Sequence, residues 1–390
     1  MIMVYLDHNA TSPLRASARL AVESALTAYG NASSVHAAGR SARARIEEAR
    51  EAVASLAGTT AACAVFTSGG SEANALALRG AIAGAAQEED RIARLFVSTI
   101  EHESVRANAS ALAEAVPGLK LTEIPVTGQG TIDLGALRLK LIQGKGRVLV
   151  SIMAANNETG VLQDIHGIAK LVRSEGGAGA LFHIDAVQAA GRTALSFDAW
   201  GADYMTLSAH KLGGPQGAGA LLVRDGAPLS PQIAGGGQEM RRRSGTENVA
   251  AIAGFGAAAA ELAGLADAIA TVRALRDRFE AELARAVPEL IIFGASAERL
   301  ANTSNFAIPG LAAETALIAL DLDGVAVSSG SACSSGKVKP SHVLAAMGVD
   351  EGLARCGIRV SFGWTNSDSD VDAVIQSLRR LIARRTALAA

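Results

Sequence analysis

Lys211 stands between a histidine and a Gly-Gly-Pro turn, in Ser208-Ala209-His210-Lys211-Leu212-Gly213-Gly214-Pro215. A primary amine in a tight turn is poorly placed as a solvated surface charge and well placed to condense with a carbonyl group. Asp185 closes the strand-like run His183-Ile184-Asp185. A carboxylate at a strand end can keep a pyridine nitrogen protonated, so the pair fits a pyridine-ring carbonyl cofactor, pyridoxal phosphate (PLP).

Other segments can be tested against that reading. Ser68-Gly69-Gly70-Ser71-Glu72-Ala73-Asn74 follows a strand pattern and opens a helix pattern. Unpaired N–H groups at such a start seat an anion, although an ordinary serine-capped turn has the same look. His102, in Glu101-His102-Glu103, can stack on a ring and move protons near neutrality, or can simply cap a helix. Asn156-Asn157-Glu158 offers amides that donate and accept without charge, and turn chemistry is the plain alternative. Cys333 is flanked by small residues in Ser329-Gly330-Ser331-Ala332-Cys333-Ser334-Ser335-Gly336. Such a thiol is expected to be exposed and mobile, and its thiolate would be a nucleophile. Arg359, inside the apolar run Ile358–Ser361, needs an anion, either a substrate carboxylate or a structural partner. A metal reading of His183, Asp185, His210 and His102 leaves Lys211 and the amides without work and sets a lysine beside a dication. It is set aside.

Those residues need elements to carry them. Strand patterns at 63–67, 94–99, 121–125, 147–153, 181–185, 204–208 and 218–223 alternate with helical ones at 41–56, 72–83, 104–115 and 165–174. Alternation of this kind predicts an α/β fold, a mainly parallel central sheet covered by helices. The candidate residues fall just past strand ends, where such sheets collect ligands. An alanine-rich helix at 249–265 and a charged one at 267–287 lead into shorter elements. The expected division is a large α/β domain over 14–255 and a smaller α+β domain from 1–13 and 256–390, carrying Cys333 and Arg359.

The 390 residues are 49% hydrophobic with a formal net charge of −2. Bulk charge points to neither nucleic acid nor an acidic membrane. No apolar run is long enough to span a bilayer, and the first residues lack a signal-peptide pattern, so a cytoplasmic protein is expected. Three cysteines without metal-ligand spacing predict no disulfide framework and no structural metal site, with Cys63 in the core.

Taken in order, the motifs resemble the cysteine desulfurases, the NifS/IscS-like branch of the class V PLP-dependent aminotransferases. The resemblance starts at Tyr5-Leu6-Asp7-His8-Asn9-Ala10-Thr11 and Gly30-Asn31-Ala32-Ser33-Ser34. It runs through the segments above to Arg243-Ser244-Gly245-Thr246, Ser331-Ala332-Cys333 and Ile358-Arg359-Val360-Ser361. It implies PLP fold-type I and removal of sulfur from L-cysteine, leaving L-alanine and a Cys333 persulfide for sulfur-acceptor proteins such as an iron–sulfur scaffold. It also implies roles. Lys211 would hold PLP as an imine and shuttle the alpha proton; Asp185 would pair with the ring nitrogen. His102 would stack on the ring, with Gln188 at the ring hydroxyl and Asn157 at the ring oxygen or substrate carboxylate. Gly70, Ser71, Ser208 and His210 would hold the phosphate, joined by Thr246 from the second subunit of a homodimer. Arg359 would clamp the substrate carboxylate. A lyase or aminotransferase acting on another amino acid, selenocysteine included, is the alternative, and a non-catalytic scaffold is the third reading. Four positions depart from the family pattern: His8 for asparagine, Ala32 for proline, Gly70-Ser71 for Ala-Thr, and Arg241 for a common glycine.

Overall fold

The structure, a computed structural model, describes residues 3–86, 91–262, 266–329 and 341–389. The strands are β1 (Val4–Tyr5), β2 (Ala64–Thr67), β3 (Ile92–Ser98), β4 (Lys120–Ile124), β5 (Arg147–Met153), β6 (Leu181–Asp185), β7 (Tyr204–Ser208), β8 (Gly219–Val223), β9 (Ile291–Ile292), β10 (Thr303–Ala307), β11 (Val325–Ala326), β12 (Ser328–Ser329) and β13 (Gly357–Ser361). The helices are α1 (Ala16–Thr27), α2 (Ala37–Leu56), α3 (Gly70–Gly84), α4 (Glu103–Ala115), α5 (Leu134–Gln143), α6 (Ile165–Glu175), α7 (Val249–Glu261), α8 (Ala266–Ala286), α9 (Ala313–Leu322), α10 (His342–Ala346), α11 (Glu351–Ala354) and α12 (Asp368–Ala389).

Seven strands form one sheet in the order β2-β8-β7-β6-β5-β3-β4. Only β8 runs against the others, pairing antiparallel with both β2 and β7. The middle strands β5, β6 and β7 are buried along almost their whole length. This is why they read as continuous apolar runs rather than alternating ones. Two apolar clusters cover the faces. One gathers Ile46, Val53, Phe66, Phe182, Ile184 and Phe255; the other gathers Leu76, Leu78, Leu95, Val105 and Tyr204.

A second, four-stranded antiparallel sheet has the order β12-β13-β10-β9. Its core holds Phe279, Phe306, Phe362, Val371 and Leu378, and Leu6 from the start of the chain joins it. The N-terminal segment is tied there by β1–β11 pairing and by a bridge between Asp7 and Ser361. Residues 8–12 then turn back to the large sheet, where Ser12 N donates to the His210 carbonyl at 2.9 Å. The chain start thus brings Asn9 and Ala10 against Lys211 from one side while β13 brings Arg359 from another. No single described helix is long and apolar enough to cross a membrane.

Candidate active site

The ends of β5, β6 and β7, the start of α3 and the N-terminal turn enclose a cavity of about 440 Å³. Ten residues singled out in the sequence line it: Gly70, Ser71, His102, Asn157, Asp185, Gln188, Ser208, His210, Lys211 and Arg359. The structure does not bring Thr246 there; it is exposed outside the cavity lining. Cys333 lies outside the described residues.

Each side chain owes its position to its element. Asp185 is the last residue of β6, and its buried carboxylate is held by two donors. Asn74 Nδ2 reaches Oδ2 at 2.8 Å and the Val187 N–H reaches Oδ1 at 3.0 Å. Lys211 ends a single helical turn after β7, and its Nζ donates to the Asn9 and Ala10 carbonyls at 2.7 and 2.8 Å. His102 caps α4: its Nδ1 accepts from the Ser104 N–H at 3.1 Å, which fixes the ring at the cavity edge. The capping expectation is met, and the capping histidine also lines the cavity.

The α3 start is built to come close. Gly69 has φ 158, near extended backbone, and the helix begins at Gly70. A Cβ on Gly70 would fall 3.0 Å from Val187 Cγ2 and 3.4 Å from the Ser208 Cβ, so a larger residue would press into the lining. Glu72 holds the turn from outside, accepting from the Ser68 N–H at 2.8 Å and pairing with Arg243 at 2.8 Å. That pair engages Arg243, the first residue of the Arg243-Ser244-Gly245-Thr246 motif.

Arg359 donates from Nη2 to Asp7 Oδ1 at 2.7 Å and from Nη1 to the Asn157 carbonyl at 3.0 Å. Its Nε is buried with no hydrogen-bond partner. His210 bonds Thr11 Oγ1 through Nδ1 at 3.1 Å, and burial, with Lys211 and Arg192 adding repulsion, pushes its pKa down to about 4. It is neutral near pH 7 and can give one N–H to an anion. His183 sits under Asp185 with both nitrogens engaged by Ser151 and Thr206 hydroxyls, and burial lowers its pKa to about 4. Occupied nitrogens make it a poor metal ligand.

Several lining or supporting residues were not assigned roles from sequence. Asn74, which carries Asp185, lies one helical turn into α3 from Gly70, a four-residue spacing that marks a shared face. Asn9 supplies a carbonyl to Lys211 and to Gln188 Nε2, at 3.0 Å for the latter. Ser328 also lines the cavity and faces Arg359 across the β12–β13 ladder. Buried Glu101, beside His102, has its pKa pushed up to about 8, chiefly by burial, with Asp185 adding to it.

The donor set fits PLP. A helix start with neighbouring hydroxyl and imidazole groups faces one part of the cavity, a doubly held carboxylate another, and a primary amine lies on the same wall. The aminotransferase class-V family model matches residues 4–374. The chain is 40% identical to the IscS-like cysteine desulfurase of Mycobacterium tuberculosis, over all of this chain and 99% of that one. Among solved structures it resembles a NifS-like protein from Rickettsia africae, with 36% identity, a TM-score of 0.87, and coverage of 98% and 99% of the two chains. It also resembles SspA in complex with cysteine, with 28% identity, a TM-score of 0.80, and coverage of 92% and 98%.

Proposed function

The chain belongs to the cysteine desulfurases of the aminotransferase class-V family, and we propose the following division of labour for its removal of sulfur from L-cysteine. PLP is the cofactor, and when bound it supplies an electron sink conjugated to the substrate's alpha carbon. Lys211 tethers it and moves the alpha proton. Asp185 keeps the ring nitrogen protonated. Gly70, Ser71, Ser208 and His210 hold the phosphate, Gln188 meets the ring oxygen, and His102 covers the ring. Arg359, with Asn157, binds the substrate carboxylate.

The Cys333 thiolate attacks the substrate sulfur. An S–S bond forms, the C–S bond breaks, and its electron pair stays on the substrate carbon, which takes a proton to give L-alanine. Cys333 is left as a persulfide for a sulfur-acceptor protein, such as an iron–sulfur scaffold. Thr246 comes from the second subunit of a homodimer, and the setting is the cytoplasm. The large domain over 14–255 holds the cofactor, and the smaller one, from 1–13 and 256–390, carries Arg359 and Cys333.

The observation that carries this reading is the convergence of Lys211, Asp185 and the α3 start on one cavity. The test is incubation of purified protein with L-cysteine and a reductant, scoring alanine and sulfide. Cys333→Ser should keep the yellow cofactor and lose both products; unchanged turnover rejects the nucleophile. Turnover that requires a 2-oxo acid would mean an aminotransferase instead.

A further inference from the structure

Gln188 and Arg192 lie four residues apart on the turns after β6, and they are bonded side chain to side chain: Arg192 Nη1 donates to Gln188 Oε1. The same guanidinium donates to the Gln188 carbonyl at 3.2 Å, the His8 carbonyl at 2.7 Å and the Lys211 carbonyl at 3.2 Å. It therefore ties together the N-terminal turn, the Lys211 turn and the Gln188 amide. A guanidinium carries donors only, whereas a primary amide has an accepting oxygen and a donating nitrogen that can exchange places by a flip. Against Arg192 just one orientation is tenable, oxygen toward the guanidinium. The Gln188 Nε2 then points the other way and donates to the Asn9 carbonyl at 3.0 Å, a second acceptor that the flipped amide could not satisfy. Nε2 keeps one further hydrogen, and Gln188 lines the cavity.

We propose that Arg192 is a positioning residue that locks the Gln188 amide so that the cavity meets an N–H donor, selecting a ligand that presents an oxyanion there rather than a neutral hydroxyl. The assignment deepens the cofactor reading above and rests on it: the ligand oxygen is the ring oxygen of PLP, held ionised by a donor with no competing acceptor. A hydrogen bond donated to the charged form lowers that oxygen's pKa.

The experiment is a pH titration of the absorbance of bound PLP, with PLP affinity measured by reconstitution of apoprotein. In Arg192→Leu the amide loses the partner of its oxygen and keeps only the Asn9 carbonyl to orient it. The titration midpoint should move to higher pH and PLP affinity should fall by about tenfold, the worth of roughly one hydrogen bond. Arg192→Lys, also donor-only, should restore both. A purely structural role for Arg192 would lower thermal stability and leave the midpoint in place, and that result overturns the proposal. Should Arg192→Leu fail to fold, Gln188→Glu decides. It keeps a partner for Arg192 but turns an acceptor to the cavity, so an upward midpoint shift is expected and an unmoved midpoint overturns the assignment. Wild-type protein that takes up no PLP at all would instead sink the cofactor reading, and this assignment with it.

Discussion

Arg359 and Asp7 form a 2.7 Å ion pair across the cavity wall, joining β13 to the first turn of the chain. Asp7 occupies one terminal nitrogen of the guanidinium, and Nε remains buried without a partner. A buried charged donor left unsatisfied is costly, and an incoming carboxylate would relieve it. Arg359→Lys loses the planar fork. It is expected to raise KM for L-cysteine by ~10²-fold, equivalent to about 2–3 kcal/mol of charge-assisted hydrogen bonding, with a smaller change in kcat. Steady-state kinetics separate the two constants, and an unchanged KM would remove Arg359 from substrate binding.

Asp185 depends on Asn74, whose Nδ2 also reaches Ser104 Oγ at 2.9 Å. Asn74 thereby links α3, α4 and the end of β6. Asp185→Asn removes the charge but keeps the shape, and kcat should fall ~10²-fold or more with PLP still bound. Asn74→Ala should cost less, on the order of tenfold, because the Val187 N–H still holds the other oxygen. Cofactor stoichiometry measured beside turnover distinguishes lost chemistry from lost PLP.

The buried histidines and Glu101 act on stability in opposite directions. His8 has its pKa pushed down to about 3 by burial and by Arg192 and Arg15, while His183 and His210 are each lowered to about 4. These three are neutral when folded but protonate on unfolding below their ordinary value of 6.5. Their contribution is complete above about pH 6.5 and drains away as pH falls toward 4 and 3, by up to about 1.4 kcal/mol per pH unit for each group. Glu101 is the reverse case. Its folded pKa of about 8 lies above the ordinary 4.5, so its contribution is complete below about pH 4.5 and lost as pH rises to about 8. Glu101→Gln should therefore gain thermal stability over wild type progressively between those limits. Melting curves across pH test the sign, and a gap between variant and wild type that does not grow with pH refutes it.

All seven strands of the large sheet were legible in the sequence to within two residues at either end. Burial on both faces leaves the inner strands as apolar runs, the half-exposed edge strand β4 excepted, and β5, β6 and β7 match their expected bounds fully. Helices α1 and α5 went unread. α1 has no side-chain cap at Arg15 and exposes Leu20 and Leu26, so its pattern carries neither a start signal nor a clean apolar face. The two-residue β1 and β9 are too short to show a period. At the site, residues with distinctive chemistry (Lys211, Asp185, His102, Arg359) stood out, because each has a bland alternative that its neighbours make costly. Asn9 did not, since it acts on Lys211 through its backbone carbonyl, which no side-chain pattern reports. His8 departs from the family's asparagine, and its ring packs against Gly363, where any Cβ would collide with Cε1.

Arg241 stands where the family commonly has glycine, and the backbone gives the reason: its φ is +64, after Glu239 at +46 and Met240 at +56. Three successive non-glycine residues in the left-handed region are strained, at about 1–2 kcal/mol each. The turn is clamped by buried Glu239, which takes a two-pronged pair from Arg50 at 2.7 and 3.0 Å and the Phe66 N–H of β2 at 2.8 Å. Arg241→Gly relieves one strained position and gives back part of the gain as unfolded-chain entropy. A net rise of about 0.5–1 kcal/mol in unfolding free energy is expected. Glu239→Gln should have the opposite sign and be larger, on the order of 3 kcal/mol, because it leaves the buried Arg50 guanidinium with only the exposed Glu47, at 3.1 Å, as counter-charge. Denaturant unfolding of both variants provides the check. A destabilised Arg241→Gly would mean that the arginine side chain, rather than the Glu239 clamp, holds the turn.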